Sequence, residues 1–241
     1  MDIRRFTGFW AIMMLVFSLQ AQQSVITNKE AVVYINKMGF HAIDAAIHYC
    51  YYMQGVDPLG ASRRLDNSLA LAEHDLIALE RYAIKHPEYL QQWKKISGYW
   101  YNIRNRCVHS PAPKTGQRIF EHLNNMKRLL VEWQNQLDKD AKTDPLDDFR
   151  YRTRFVALLF VLKQKYSGSL YAKWLDVELE SYKTAIQRLP EILTNRSVKS
   201  SEQERFFSIL NNYVTALSAN KPDLQKVYEL SEEILHRIES Y

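Results

Sequence analysis

The chain has 241 residues, 46% of them hydrophobic and 24% charged, which is an ordinary globular composition for one or two domains. Its net charge is +5, but Lys and Arg alternate with Asp and Glu along the whole length, so we expect no nucleic-acid partner. Only seven Gly and seven Pro are present, mostly in short clusters, and this favours helices joined by tight loops over a β-sheet protein.

Residues 1–21 have the layout of a secretory signal peptide. A basic start at Arg4 and Arg5 precedes an apolar run over 6–19, and Ala21 supplies a small residue for cleavage. The run is shorter than the roughly 20 residues of a membrane-spanning helix. We therefore expect an exported, periplasmic protein, with an uncleaved membrane anchor as the alternative.

Residues 22–142 are predicted to form four helices, because apolar side chains recur there at helical spacing. Breaks rich in Gly and Pro separate them. In chain order the helices cover about 29–53, then the stretch after GVDPLGA up to about 86, then Pro87 to HSPAPKTG, and finally the stretch up to about 142.

The motif TDPLDD marks a second start. Asp144 is a candidate N-cap, Pro145 suits a first helical turn, and Asp147 and Asp148 complement the helix dipole. Four more helices follow over about 145–166, 169–194, 200–219 and 222–241. Short loops make successive helices antiparallel, so the predicted fold is all-α: two tandem up-down-up-down four-helix bundles, 22–142 and 143–241.

The two halves also resemble each other. RRLDNSLALAEHDLIAL at 63–79 aligns with KWLDVELESYKTAIQRL at 173–189, with apolar positions and one Asp in register. The third and fourth helices of each half align at similar spacings. Four helices in the same order indicate a tandem repeat of one unit.

The stretch INKMG at 35–39 opens the first helix and carries a resemblance to a known family. It resembles the start of the periplasmic sensor domain of nitrate/nitrite-sensing histidine kinases and type IV pilus chemotaxis transducers, itself a four-helix bundle. In that family an arginine follows three residues after the glycine, and in the nitrate sensors one such arginine from each subunit of a dimer holds the anion. The resemblance implies a non-catalytic sensor of a small anion, a homodimer, and a membrane receptor or kinase as partner.

The family motif is divided between the two halves of this chain. Gly39 is present, but Ala42 and Ile47 occupy the positions of the two family arginines. In the second half Arg154 occupies the first arginine position, while the Ile-Asn-x-x-Gly element is absent. Arg154 could equally pair with a neighbouring carboxylate, as could Arg150 one helical turn earlier. The candidate ligand-binding residues are Asn36, Gly39, His41, Arg150 and Arg154.

The two cysteines, Cys50 and Cys107, are a possible disulfide. An oxidising compartment favours the bond. Their expected places on diagonal helices of a bundle oppose it, because a disulfide tolerates a Cα separation of only about 7 Å. The pairing stays open at this point.

The sequence carries no enzyme signature, since the nucleophile elbow, the zinc-protease motif and the phosphate loop are all missing. His41, Asp44 and His48 share one helix face, but without Glu-x-x-His pairs on other helices we expect no metal and no cofactor. The prediction is an exported, sensor-like bundle that binds a small ligand, a membrane signalling partner or both. The alternatives are an interaction scaffold without a small ligand and a metal- or haem-binding bundle. Asn36, His41 and Arg154 facing inward would favour sensing.

Overall fold

The computed structural model of the protein describes residues 26–109, 114–137, 144–166, 169–219, 221 and 223–241. Within these ranges the chain is helical and contains no strand, which confirms the all-α prediction. The helices are α1 Asn28–Tyr52, α2 Pro58–Lys85, α3 Leu90–His109, α4 Thr115–Leu137, α5 Pro145–Lys165, α6 Ser169–Asn195, α7 Ser200–Leu217 and α8 Leu224–Glu239.

The predicted signal peptide and the predicted boundary between residues 142 and 143 lie outside the described residues. In the part of the chain that is described, no helix combines the length and the apolar character that crossing a bilayer requires. Pro87 opens a short 3-10 turn, Pro87–Tyr89, and α3 begins only after it.

Side-chain caps fix where several helices begin. Thr27 and Glu30 form a capping box at α1, with the Thr27 backbone N–H donating to Glu30 Oε2 over 2.7 Å. Asp144 accepts from the Leu146 N–H over 2.9 Å and so caps α5, as its position ahead of Pro145 predicts. Asp223 caps α8 in the same way. The first two caps set the starts of α1 and α5, the helices whose mutual contact joins the two halves.

Within each half, neighbouring helices are antiparallel. Near its start α1 meets the end of α2, where Tyr82 Oη donates to Asn28, and further along it contacts earlier residues of α2. α3 and α4 pair in the same sense, with the Gln92 amide donating to the Leu129 carbonyl over 3.0 Å. In the second half α5 packs on α6 and α8, and α7 packs on α8.

The two halves meet along α1 and α5, which pack in parallel. The order of contacts shows this direction: Phe40 lies against Arg150, and one turn later Asp44 lies against Arg154. Both helices are buried on nearly every side in their later turns, over 42–51 and 156–162. Because one apolar core runs through both halves, the division into two separate bundles stays a prediction.

Candidate functional site

The contact between α1 and α5, here called the seam, is flanked by two adjoining cavities. The ionic cavity has a volume of about 300 Å³ and lies between α1, α2, α5 and α8. The lysine cavity has a volume of about 360 Å³ and lies between α1, α4 and α5. Phe40, His41 and Arg150 line both cavities, so the two spaces share one wall.

Arg154 is the centre of the ionic cavity, although only 3% of its side chain is exposed. Its Nε lies 2.6 Å from Asp44 Oδ1, and its guanidinium also pairs with Glu232. A further N–H donates to Ser231 Oγ over 3.2 Å, and another nitrogen lies 3.3 Å from His48 Nε2. One buried cation of α5 therefore holds a carboxylate of the first half and a carboxylate of the second.

The carboxylates of this ionic cluster have partners of their own. Glu232 also pairs with Arg64 of α2, so α8 of the second half is tied to the first half at a second point. Asp44 accepts a hydrogen bond from Ser68 of α2. Nearby, Tyr228 Oη donates to Asp57 Oδ2 over 3.0 Å, again between the halves. The cluster is a polar joint that links α1 and α2 to α5 and α8.

Charges in the cluster are set by burial and by Arg154. Burial opposes ionisation of Asp44, but the Arg154 charge, the nearby His48 ring and a hydrogen bond from Ser68 outweigh it, so the pKa of Asp44 lies well below its usual value. Burial lowers the pKa of His48, and the Asp44 carboxylate offsets this only in part. At neutral pH the cluster therefore contains an ionised Asp44 and a neutral His48.

The structure brings four of the five predicted ligand residues to the seam cavities. Asn36 lines the lysine cavity, Arg154 lines the ionic cavity, and His41 and Arg150 line both. Gly39 is buried in α1 and faces Leu130 and Lys127 of α4. Inward-facing Asn36, His41 and Arg154 are expected of a sensor rather than of a scaffold. In the structure Arg154 is buried, and Asn36 and His41 are half-buried.

The ionisable residues among these candidates, His41, Arg150 and Arg154, already have carboxylate partners within the protein. His41 Nδ1 lies 2.7 Å from Asp75 of α2. Arg150 pairs with Glu239 over 2.8 Å and covers the Phe40 ring at 4.4 Å. Arg154 pairs with carboxylates, which is the alternative raised for it from the sequence. With both carboxylates in place, Arg154 offers little of its guanidinium to an incoming anion.

Sequence reasoning missed Lys127, Arg64 and Glu232. Lys127 lies next to Met126 at the edge of the apolar stripe of α4, where a lysine normally extends into solvent. Here its Nζ lies 4.1 Å from the centre of the Tyr151 ring. Arg64 and Glu232 belong to ordinary polar helix faces, and only their meeting between α2 and α8 distinguishes them.

The structure also places the two cysteines of the chain and the two histidines of α1. Cys50 and Cys107 are both free thiols, and burial raises the pKa of Cys50 to about 12 and that of Cys107 well above its usual value. Among the described residues, no group of three or more His, Cys, Asp and Glu side chains is arranged to hold a metal ion. The pair His41 and His48 is instead engaged by Asp75 and by the Arg154 cluster.

Comparison with protein-family models, curated proteins and solved structures finds no significant match to this chain. The resemblance of INKMG to the sensor-domain family therefore stays a prediction.

We expect Arg154→Met to lower the free energy of unfolding by about 3 kcal/mol, because it leaves a buried Asp44 without its main partner. Urea denaturation measures the loss. The control is Arg152→Met, two residues away on α5, where the side chains of Arg152 and its partner Asp148 are 34% and 48% exposed, so that the ion pair is worth about 0–1 kcal/mol. Equal losses in the two variants would contradict the assignment of Arg154 as the joint.

We expect the protein to lose stability as the pH falls below about 6.5, because burial disfavours protonated His48 in the folded state while the unfolded chain accepts the proton freely. His48→Gln should lose less over the same range, and denaturation at about pH 7.5 and about pH 5.5 measures both. Asp44 does not contribute to this window, since its depressed pKa delays protonation to pH values below its ordinary 3.8. Identical pH slopes in the two proteins would refute the role given to His48.

We expect Gly39→Ala to stabilise the protein by about 0.5–1 kcal/mol, because alanine favours the helix and its Cβ would meet only ordinary contacts with Leu130 and Lys127. Gly60→Ala is the control, since its Cβ would collide with the Asp57 side chain that caps α2, and it should destabilise. Thermal melts separate the two. A destabilised Gly39→Ala variant would mean that packing requires this glycine.

Proposed function

We propose that the protein is a non-catalytic, sensor-like helical module that binds a small ligand at the seam and responds by a change in packing between its halves. The carrying observation is the gathering of Asn36, His41, Arg150 and Arg154 around two cavities between α1 and α5. Ligand sites in helix bundles are built between facing helices in this way, with a few polar groups among apolar ones.

A ligand at the seam touches both halves at once. In the lysine cavity it would contact α1, α4 and α5, and in the ionic cavity it would contact α1, α2, α5 and α8. Helix packing responds to such contacts by shifts of about 1–2 Å between discrete arrangements. The ligand drives the shift only if it binds one arrangement more tightly than the other. The ionic cluster spans both halves, so its contacts can differ between the two packing arrangements.

The two-bundle division belongs to this proposal. It is supported by the packing of helices within each half and by the parallel pairing of α1 with α5. Phe40 with Arg150 and Asp44 with Arg154 are each pairs of residues 110 apart, the same offset that aligns 63–79 with 173–189. Two related units joined through their first helices would give this arrangement.

Export and the signalling partner are also proposals. The N-terminal sequence supports export, and the resemblance of INKMG supports a membrane receptor or kinase as the partner that reads the change. A homodimer remains the oligomeric state that the resemblance implies. None of these depends on which cavity takes the ligand.

A scaffold without a small ligand is the second candidate, and one observation favours it. The arginines of the ionic cavity are all paired internally: Arg154 with Asp44, Arg64 with Glu232, and Arg150 with Glu239. A closed set of ion pairs can act as a permanent clamp between helices, with no place for a ligand charge.

A thermal-shift screen separates the two candidates. The purified protein is heated with organic carboxylates, inorganic oxyanions such as nitrate and nitrite, amines and divalent cations, each at about 10 mM, since binding to the native state raises Tm by mass action. We expect at least one class to raise Tm and to slow amide exchange in α1 and α5 more than in α7. A flat screen, with unchanged exchange at the seam, would support the scaffold instead.

A further inference from the structure

We infer that the lysine cavity is a site for a small organic carboxylate, with Lys127 as the cation that anchors it. This inference rests on the proposed function, because it names the ligand class of the seam. It is carried by an unpaired lysine, by the pairing of the acids around it, and by the apolar walls of the space.

Lys127 reaches from α4 into the seam without a carboxylate partner. Its Nζ lies over the Tyr151 ring of α5 at 4.1 Å, a cation–π contact. Across the described ranges, no carboxylate lies within ion-pair distance of this nitrogen. Burial lowers the pKa of Lys127, and attraction by the more distant Asp148 offsets this only in part. An anion bound here would supply the negatively charged partner that Lys127 lacks.

The acids that line the cavity are already used by arginines. Asp144 pairs with Arg196, and Asp148 lies 2.6 Å from Arg152 Nε. Asp147 lies 3.5 Å from Arg150, which it shares with Glu239.

Lys37 of α1 lines the same space and is exposed. The two lysines outnumber the one carboxylate that shares its arginine, so the charge left over in the lysine cavity is positive. The ionic cavity differs in this respect, because there each arginine faces a carboxylate.

The remaining walls favour an organic ligand over a bare inorganic ion. Val32, Val33, Phe40 and Tyr151 give the cavity apolar and aromatic surface. Its volume of about 360 Å³ is at the small end of ligand pockets. Asn36 adds an amide that can donate to a carboxylate oxygen. A monocarboxylate with a small apolar or aromatic body satisfies the lysine, the amide and the walls together.

Gly39 fits the same inference. A Cβ at this position would lie 3.9 Å from Lys127 Nζ, in ordinary contact, so packing does not demand a glycine there. The absence of a side chain leaves the lysine approachable from α1.

The test uses benzoate as the probe and measures Tm of the purified protein and its variants. At tenfold excess over its Kd, benzoate should raise the wild-type Tm by about 4 °C. Lys127→Met should lose the shift while melting normally without ligand, and Lys127→Arg should restore part of it. Arg128→Met is the matched control: it removes a charge from the next residue of α4, whose side chain is 70% exposed, and it should keep the full shift.

The possible outcomes distinguish this inference from the proposed function. A benzoate shift that persists in Lys127→Met would overturn the assignment of Lys127 and leave a seam ligand standing. A shift with amines or divalent cations but with none of acetate, succinate and benzoate would overturn the ligand class alone. No shift with any class would overturn both the inference and the proposed function.

Discussion

The arrangement of the two halves depends on the ion pairs that the buried Arg154 guanidinium makes with carboxylates of both halves. This guanidinium is a charge of α5 that lies against Asp44 of α1 and Glu232 of α8, with 3% of the Arg154 side chain exposed. Removing such a cation from water is costly, and only close carboxylates make the position tolerable. The same contacts fix which residues of α1 lie opposite which residues of α5. His48, packed against this cation, stays neutral chiefly because burial lowers its pKa, and the Arg154 charge lowers that pKa further.

The two cavities that flank the seam have different electrostatic characters. In the ionic cavity, arginines and carboxylates from both halves neutralise one another, so the space is suited to holding the halves in register. In the lysine cavity the acids face arginines, and Lys127 faces an aromatic ring. Arg150, stacked on Phe40, stands between the two spaces and lines both. A ligand in the lysine cavity would therefore contact Arg150, which also borders the ionic cluster.

Sequence reasoning predicted the helices well but not the contacts between the two halves, for physical reasons. Local signals such as Asp144 before Pro145 fix a helix start, because a cap acts within a few residues. The apolar run over 155–162 of α5 is a local signal of the same kind, and the structure buries 156–162 on nearly every side. The partners of Arg154 could not be found in this way, since Glu232 lies 78 residues further along the chain and Asp44 lies in the other half. Lys127 was missed because periodicity places it at the edge of the core of α4, and only the approach of α5 turns that edge into a cavity wall.

A double-mutant cycle between Asp44 and Arg154 tests the central claim most directly, because it isolates the energy of one contact across the seam. Asp44→Asn, Arg154→Met and the double variant are compared with the wild type by urea denaturation. We expect the two single losses to be strongly non-additive, with a coupling of about 2 kcal/mol, as for contacting groups in one ionic network. Losses that add to within about 0.5 kcal/mol would mean that the two side chains act independently. That result would contradict the account of the seam as an ionic joint between the two halves.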